Sequence, residues 1–239
     1  MLPLFPLIQS FPAIQSWIPS LISVGLWLVF VLSLAEWVSR QANFDAEIPR
    51  KIVHIGTGNI ILLAWWLQTP LELGLVASVL FCVVTLLSYR FPILPSVSGI
   101  GRRSWGTFFY ALSIGLLIWL FWNRSLPQFT ALGILIMTWG DGLAAVIGKR
   151  FGAHSYQLWD MQKSWEGSGT MFVVSLLISG GILFPIYGGS INAPLLLTIA
   201  LTVSAIATGL EAFSKYGLDN LTVPVGTALL CFGLVQWNL

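Results

Sequence analysis

Apolar residues dominate this chain in runs long enough to cross a bilayer, and polar residues gather in the joins between those runs. A membrane-spanning helix needs about 20 predominantly apolar residues. By that measure eight segments stand out, at 17–38, 52–67, 71–89, 105–122, 129–147, 170–187, 194–212 and 221–237. The second and the eighth are short, so tilt, re-entry or a miscount stays open for them. Pro49, Pro70, Pro92, Pro95, Pro127, Gly188, Gly189 and Pro194 punctuate the joins. No internal repeat and no separate soluble segment breaks the pattern. It predicts an all-α, polytopic transmembrane helix bundle of about seven or eight segments, one integral-membrane domain over 1–239.

Composition narrows the class. Of 239 residues, 56% are hydrophobic and 8% charged, whereas a soluble domain carries about 25% charged residues. A net charge of +2 with no basic tract among aromatics argues against nucleic-acid binding. Cys82 and Cys231 both fall in apolar runs and read as packing residues, not as a disulfide or metal ligands. The first fifteen residues carry Pro3, Pro6 and Pro12 and no basic region, so neither a cleavable signal peptide nor an Arg-rich transit peptide is expected. That favours a bacterial source, although a mature organellar form would look the same.

Charge also orients the segments. The joins after the first, third, fifth and seventh segments hold Arg40, Arg50, Lys51, Arg90, Arg102, Arg103, Lys149, Arg150, Lys163 and Lys215, ten of the eleven Lys and Arg residues. Only Arg124 falls on the other side. Basic joins face the cytoplasm, so both termini are expected outside and these joins inside. His54, Asp160, Glu166, Glu211, Asp219 and Asn220 fall on the same side, where soluble nucleotides are found.

The candidate chemistry centres on 139–168. Asp141 lies inside an apolar segment, where a carboxylate costs roughly 2.5 to 3.5 kcal/mol near the bilayer centre, and a buried charge of that kind usually marks function. Lys149 lies eight residues on, placing the acid roughly 12 Å along a helix from the interface at 1.5 Å per residue. Ala144, Ala145 and Gly148 share the acid's helix face. Plain helix packing accounts for those small residues but not for Asp141, which suits an oxygen ligand for Mg²⁺ or a base toward an alcohol.

Lys163-Ser164-Trp165-Glu166-Gly167-Ser168 opens the sixth segment. A helix start offers N–H groups to phosphate, with Lys163 adding charge, Ser164 and Ser168 donors, and Gly167 close approach. Ser164 as N-cap with Glu166 in the first turn explains the same residues structurally. Lys51 and His54 share a helix face at the mouth of the second segment. Arg50 reads as a snorkelling boundary residue, and His54 as either a packing or a functional histidine. Glu211 closes the seventh segment, and Asp219, Asn220 or Thr222 caps the eighth or joins Glu211 as oxygen ligands near Pro224. Arg102 and Arg103 read mainly as topology signals. A P-loop, a protein-kinase motif set, a nucleophile elbow and zinc spacing are all absent from the sequence.

Four elements resemble the CTP-dependent polyprenol kinase family, the group that includes phytol and dolichol kinases. They are Arg50-Lys51-Ile52-Val53-His54, the Asp141 to Gly152 stretch, Lys163-Ser164-Trp165-Glu166-Gly167-Ser168, and Glu211 followed by Asp219-Asn220-Leu221-Thr222-Val223-Pro224. The third, similar to the family's Lys-Ser-x-Glu-Gly-Ser element, is the most specific. The short chain is more like the phytol kinase branch. The resemblance implies transfer of the γ-phosphate of CTP to a long isoprenoid alcohol, in the salvage of phytol from chlorophyll toward tocopherol, in a cyanobacterial-type inner or thylakoid membrane.

Within that reading, Asp141, Lys163, Glu166 and His54 are the expected catalytic set. Lys51, Gly148, Lys149, Gly152, Ser164, Gly167, Ser168 and Asn220 are expected at the nucleotide, and Asp141, Glu211 and Asp219 at Mg²⁺. Rival readings are a lipid cytidylyltransferase of the CDP-diacylglycerol synthase kind, a CTP-dependent diacylglycerol kinase and a non-enzymatic transporter.

Overall fold

The apolar runs fold as helices whose greasy faces point outward, as they must where lipid replaces water as solvent. The structure, a computed structural model, describes residues 12–41, 45, 47–90 and 105–239. Pro3, Pro6, Pro92, Pro95, Arg102 and Arg103 therefore lie outside the described residues. In chain order the helices are α1 (Pro12–Ser39), α2 (Glu47–Gly58), α3 (Ile60–Trp66), α4 (Leu71–Arg90) and α5 (Gly106–Phe121). There follow α6 (Pro127–Leu135), a π-helical turn (Ile136–Asp141) and α7 (Gly142–Phe151). A hairpin of β1 (Ser155–Leu158) and β2 (Met161–Ser164) precedes α8 (Trp165–Tyr187), α9 (Ala193–Phe213) and α10 (Asp219–Trp237). Among the described residues, seven helices are long and apolar enough to cross a membrane, with α6, the π turn and α7 forming one of them. The chain is a multi-pass, all-α membrane protein.

The second expected segment is broken. α2 and α3 meet at Asn59, and neither alone is long enough to span. Together they follow α1 in the opposite direction: Trp27 Nε1 donates to Gly56 O at 2.7 Å, and Ser20 Oγ lies 2.9 Å from Thr69 Oγ1. The break falls where a Cβ on Gly58 would run into Thr138. The hairpin within the polar join was not anticipated, its strands being only four residues each. Among the expected punctuation, Pro127 and Pro194 sit in the first turns of α6 and α9, and Asn192 caps α9 through a 3.0 Å bond from Leu195 N–H. α10 starts at Asp219, so Pro224 lies inside it and beyond its first turn.

The span containing α6 is the centre of the bundle, with every residue from Gln128 to Thr138 buried. α8 packs on α7 and α9, and α10 on α9, α6 and α5. Phe121, Phe129 and Phe232 form a ring cluster with centroids 5.3 to 5.5 Å apart, a geometry favourable for aromatic pairs. α1 and α4 are peripheral and expose Leu21, Leu26, Val79 and Leu80 outward.

The two ends of the bundle differ sharply. Lys51–Asp141, Lys163–Glu211, Lys149–Asp45 and Lys215–Asp160 are ion pairs at one end. At the other, Trp122 Nε1 donates to Thr69 O and Gln128 Nε2 to Tyr187 OH, each at 2.8 Å. Among the described residues, Arg124 is the one Lys or Arg at that second end.

Candidate active site

The site forms where the π turn, a wider turn often found at functional positions, meets α2. Gly142, the residue after the π turn, makes room for α2: a Cβ there would come within 2.7 Å of the Ile55 side chain at Cγ1. That approach lets two α2 side chains, one turn apart, reach the acid at the end of the π turn. Lys51 Nζ donates to Asp141 Oδ2 at 2.6 Å, and Lys51 is only 6% exposed. His54 Nε2 lies 3.6 Å from the same oxygen and makes no hydrogen bond among the described residues.

A second pair sits nearby. Lys163, the next-to-last residue of β2, donates to Glu211 Oε1 at 2.5 Å and to the Glu211 carbonyl at 2.6 Å. Between the pairs opens a cavity of about 480 Å³, within the range of small-molecule sites. Asp141, Lys149, Lys163 and Glu211 supply its charged wall. Ala144, Ala145, Gly148 and Gly152 line the α7 side, and Ser164, Gly167 and Ser168 line the start of α8. The hairpin adds Ser155 and Gln162, which the sequence reading passed over.

The α7–α8 contact explains the small residues. A Cβ on Gly148 would lie 2.9 Å from Ser164 Oγ, and one on Gly167 would lie 3.1 Å from the Ala144 carbonyl. A Cβ on Gly152 would overlap the Gly148 carbonyl. Ser164 caps α8, accepting from Gly167 N–H at 3.1 Å. Trp165 N–H donates to His154 O, and Ser168 Oγ lies 2.6 Å from Tyr156 OH. The Gly167 and Trp165 N–H groups at the helix start are thus taken up by the protein, and the cations nearest a bound anion are side chains.

Other expected residues are placed differently. Glu166 turns away from the cavity to His154, whose ring Nδ1 lies 2.7 Å from its Oε1. Lys51 and His54 stand behind Asp141 and do not line the cavity. Lys149 pairs with Asp45 at 2.5 Å on the rim, and the bond holds the Asp45 carboxyl below its usual range. Lys215 does the same for Asp160 and lies 5.5 Å from the Trp159 ring, tying the hairpin to the join between α9 and α10. Asp219 is within electrostatic reach of Asp141 and Glu211. Asn220 donates to Gly217 O and Asp219 Oδ1, each at 3.3 Å, and no side chain caps α10.

Among the described residues, no three His, Cys, Asp or Glu side chains converge as a metal cage. Asp141 and Glu211 line the cavity, each paired with a lysine, whereas Asp219 does not line it. The arrangement offers two carboxylates and two lysines to one polyanion at the polar end of an apolar bundle.

Comparison with known proteins agrees with this chemistry. Phytol kinase of Synechocystis sp. is 48% identical over 224 residues, 92% of this chain and 95% of that protein. Phytol kinase 1, chloroplastic, of Arabidopsis thaliana is 28% identical over 220 residues, 82% of this chain and 69% of the relative. Farnesol kinase, chloroplastic, of the same plant is 28% identical over 215 residues, 82% and 68% of the two chains. No family model and no solved structure matches the chain. With nearly half of the aligned positions shared along almost the full length of both proteins, the chain belongs to the phytol kinase family.

Proposed function

We propose that this kinase transfers the γ-phosphate of CTP to the hydroxyl of phytol, with Mg²⁺ as its metal, on the cytoplasmic side of a bacterial membrane as one integral-membrane domain. The observation that carries the reading is the single cavity into which Asp141, Glu211 and Lys163 all open, at the charged end of a bundle otherwise built for lipid. An isoprenoid alcohol can leave its tail among the helices and raise its hydroxyl to that end, where a nucleotide arrives from water. The names of the relatives, phytol kinase and farnesol kinase, support the class of alcohol, and the basic residues at the charged end support its orientation.

The residues fit a magnesium–triphosphate complex. Mg²⁺ in kinases is held through one or two carboxylates plus substrate phosphates, and Asp141 and Glu211 are the two acids in the cavity wall. Asp219, within electrostatic reach of both, lies outside the cavity wall. When bound, the metal would polarise the phosphate oxygens and neutralise part of their charge.

The chain's own side chains do the rest. Lys163 and Lys149 balance the charge of the phosphates and orient them. Lys51 and His54 fix the Asp141 carboxylate from behind. In the transfer, the alcohol oxygen bonds to the γ-phosphorus while the bond from that phosphorus to the bridging oxygen breaks. CDP leaves, and Asp141, an acid in the cavity wall, takes the hydroxyl proton. Phosphoryl transfer rests mainly on such positioning and electrostatics.

The test is purified protein incubated with phytol, geranylgeraniol, farnesol and diacylglycerol against each of the four nucleoside triphosphates. The reading expects phytyl phosphate and CDP as the dominant products. Release of pyrophosphate with CMP attached to lipid would establish a cytidylyltransferase instead. Ion-driven uptake in vesicles without nucleotide turnover would establish a transporter.

A further inference from the structure

Tyr110 on α5 is 5% exposed and lines no part of the cavity, yet it touches His54, whose Nε2 flanks Asp141 without a hydrogen bond among the described residues. Its ring packs on the His54 imidazole with centroids 5.2 Å apart. Its hydroxyl donates to the His54 carbonyl at 3.3 Å and lies 3.2 Å from Thr57 Oγ1, one turn further along α2. Thr57 in turn donates to Val53 O at 2.8 Å. One tyrosine thus grips the histidine from its ring, its backbone and its neighbour.

We propose that Tyr110 is a positioning residue for phosphoryl transfer, acting through His54 to hold the Asp141 carboxylate in its reactive orientation. The proposal rests on the kinase reading above. The physical argument is geometric. His54 Nε2 is buried, without a hydrogen bond among the described residues and 3.6 Å from Asp141 Oδ2, so its place beside the carboxylate is set by what holds the rest of the ring: the Met137 backbone and the Tyr110 side chain. Hydrogen bonds in such low-dielectric surroundings are stiff, and displacements near 1 Å at a reacting group can slow turnover about a hundredfold. Outer partners of this kind typically contribute about 10- to 100-fold to the groups they orient. Removing the hydroxyl need not disturb folding, because Thr57 keeps its bond to Val53 O.

The experiment compares Tyr110→Phe and Tyr110→Ala in the wild-type and His54→Ala backgrounds, reading kcat, KM for CTP and Tm in detergent. The proposal expects Tyr110→Ala to lower kcat roughly tenfold, Tyr110→Phe to lower it less, and both to leave KM for CTP and the Tm of the Phe variant unchanged. In the His54→Ala background neither change lowers kcat further, since residues acting through one partner are not additive. An unchanged kcat in both variants, an equal loss with or without His54, or a loss matched by a fall in folded protein would overturn the proposal. Wild-type protein inactive on every alcohol would instead overturn the kinase reading on which it rests.

Discussion

Lys51 and Asp141 stand ninety positions apart in the chain and 2.6 Å apart in space, with side chains only 7% and 16% exposed. Lys51 is almost wholly shielded from water and Asp141 meets it only through the cavity, so each depends on the other. Removing one partner of a buried pair destabilises by about 3–5 kcal/mol, whereas replacing both with apolar residues of similar size is often neutral. Lys51→Met is therefore expected to lower the Tm in detergent substantially. Combining it with Asp141→Leu should restore the Tm and leave phosphorylation absent. Recovery of activity in that double variant would show that the pair serves the fold alone.

Ser164 caps α8 and also faces the cavity. The two roles separate by substitution. Ser164→Ala loses the cap and should destabilise by about 1 kcal/mol. Ser164→Asp keeps a good cap but places a negative charge where phosphate is expected. It should hold the wild-type Tm and raise KM for CTP. A wild-type KM in that variant would remove the cavity's α8 wall from the nucleotide site.

Gly167 and Gly169 make a matched comparison two residues apart on α8. A Cβ at Gly167 would meet the Ala144 carbonyl at 3.1 Å and Ser164 Oγ at 3.2 Å, whereas one at Gly169 has nothing within 4 Å. Gly167→Ala should destabilise by about 1–3 kcal/mol through overpacking and close the cavity to CTP. Gly169→Ala should be stabilising by about 0.4–1 kcal/mol, as at unstrained helical positions. Thermal unfolding in detergent reads both. An equal response at the two sites would contradict the close α7–α8 approach.

The orientation can be checked in cells. With Cys82 and Cys231 replaced, Ser125→Cys and Gln157→Cys place single thiols at opposite ends of the bundle, both exposed. A membrane-impermeant thiol reagent added outside should label the first and spare the second. The reverse pattern would put the charged end outside and the nucleotide out of reach.

Much of this architecture is legible in the sequence because lipid imposes a simple rule on helix length and polarity. The runs ending at Trp237 and Tyr187 fall where helices do, and Ser164 caps α8 as its spacing implies. What was not legible depends on contacts between distant elements. Nothing local announces that Lys51 will find Asp141, or Lys163 Glu211, or that Gly58, beside the break at Asn59, will approach Thr138 closely. Strands of four residues are too short for their alternation to stand out, so Ser155 and Gln162 escaped notice. Glu166 looked available for chemistry, and its commitment to His154 required knowing where the hairpin turns back.

The central claim is that Asp141 and its cavity carry phosphate from nucleotide to lipid alcohol. Purified protein given phytol and CTP labelled at the γ-phosphate tests it most directly, with Asp141→Asn run beside it. The expected result is label in phytyl phosphate with CDP formed one for one, and none above background in the variant. Label remaining wholly on soluble products, or equal transfer by the Asn variant, would contradict it.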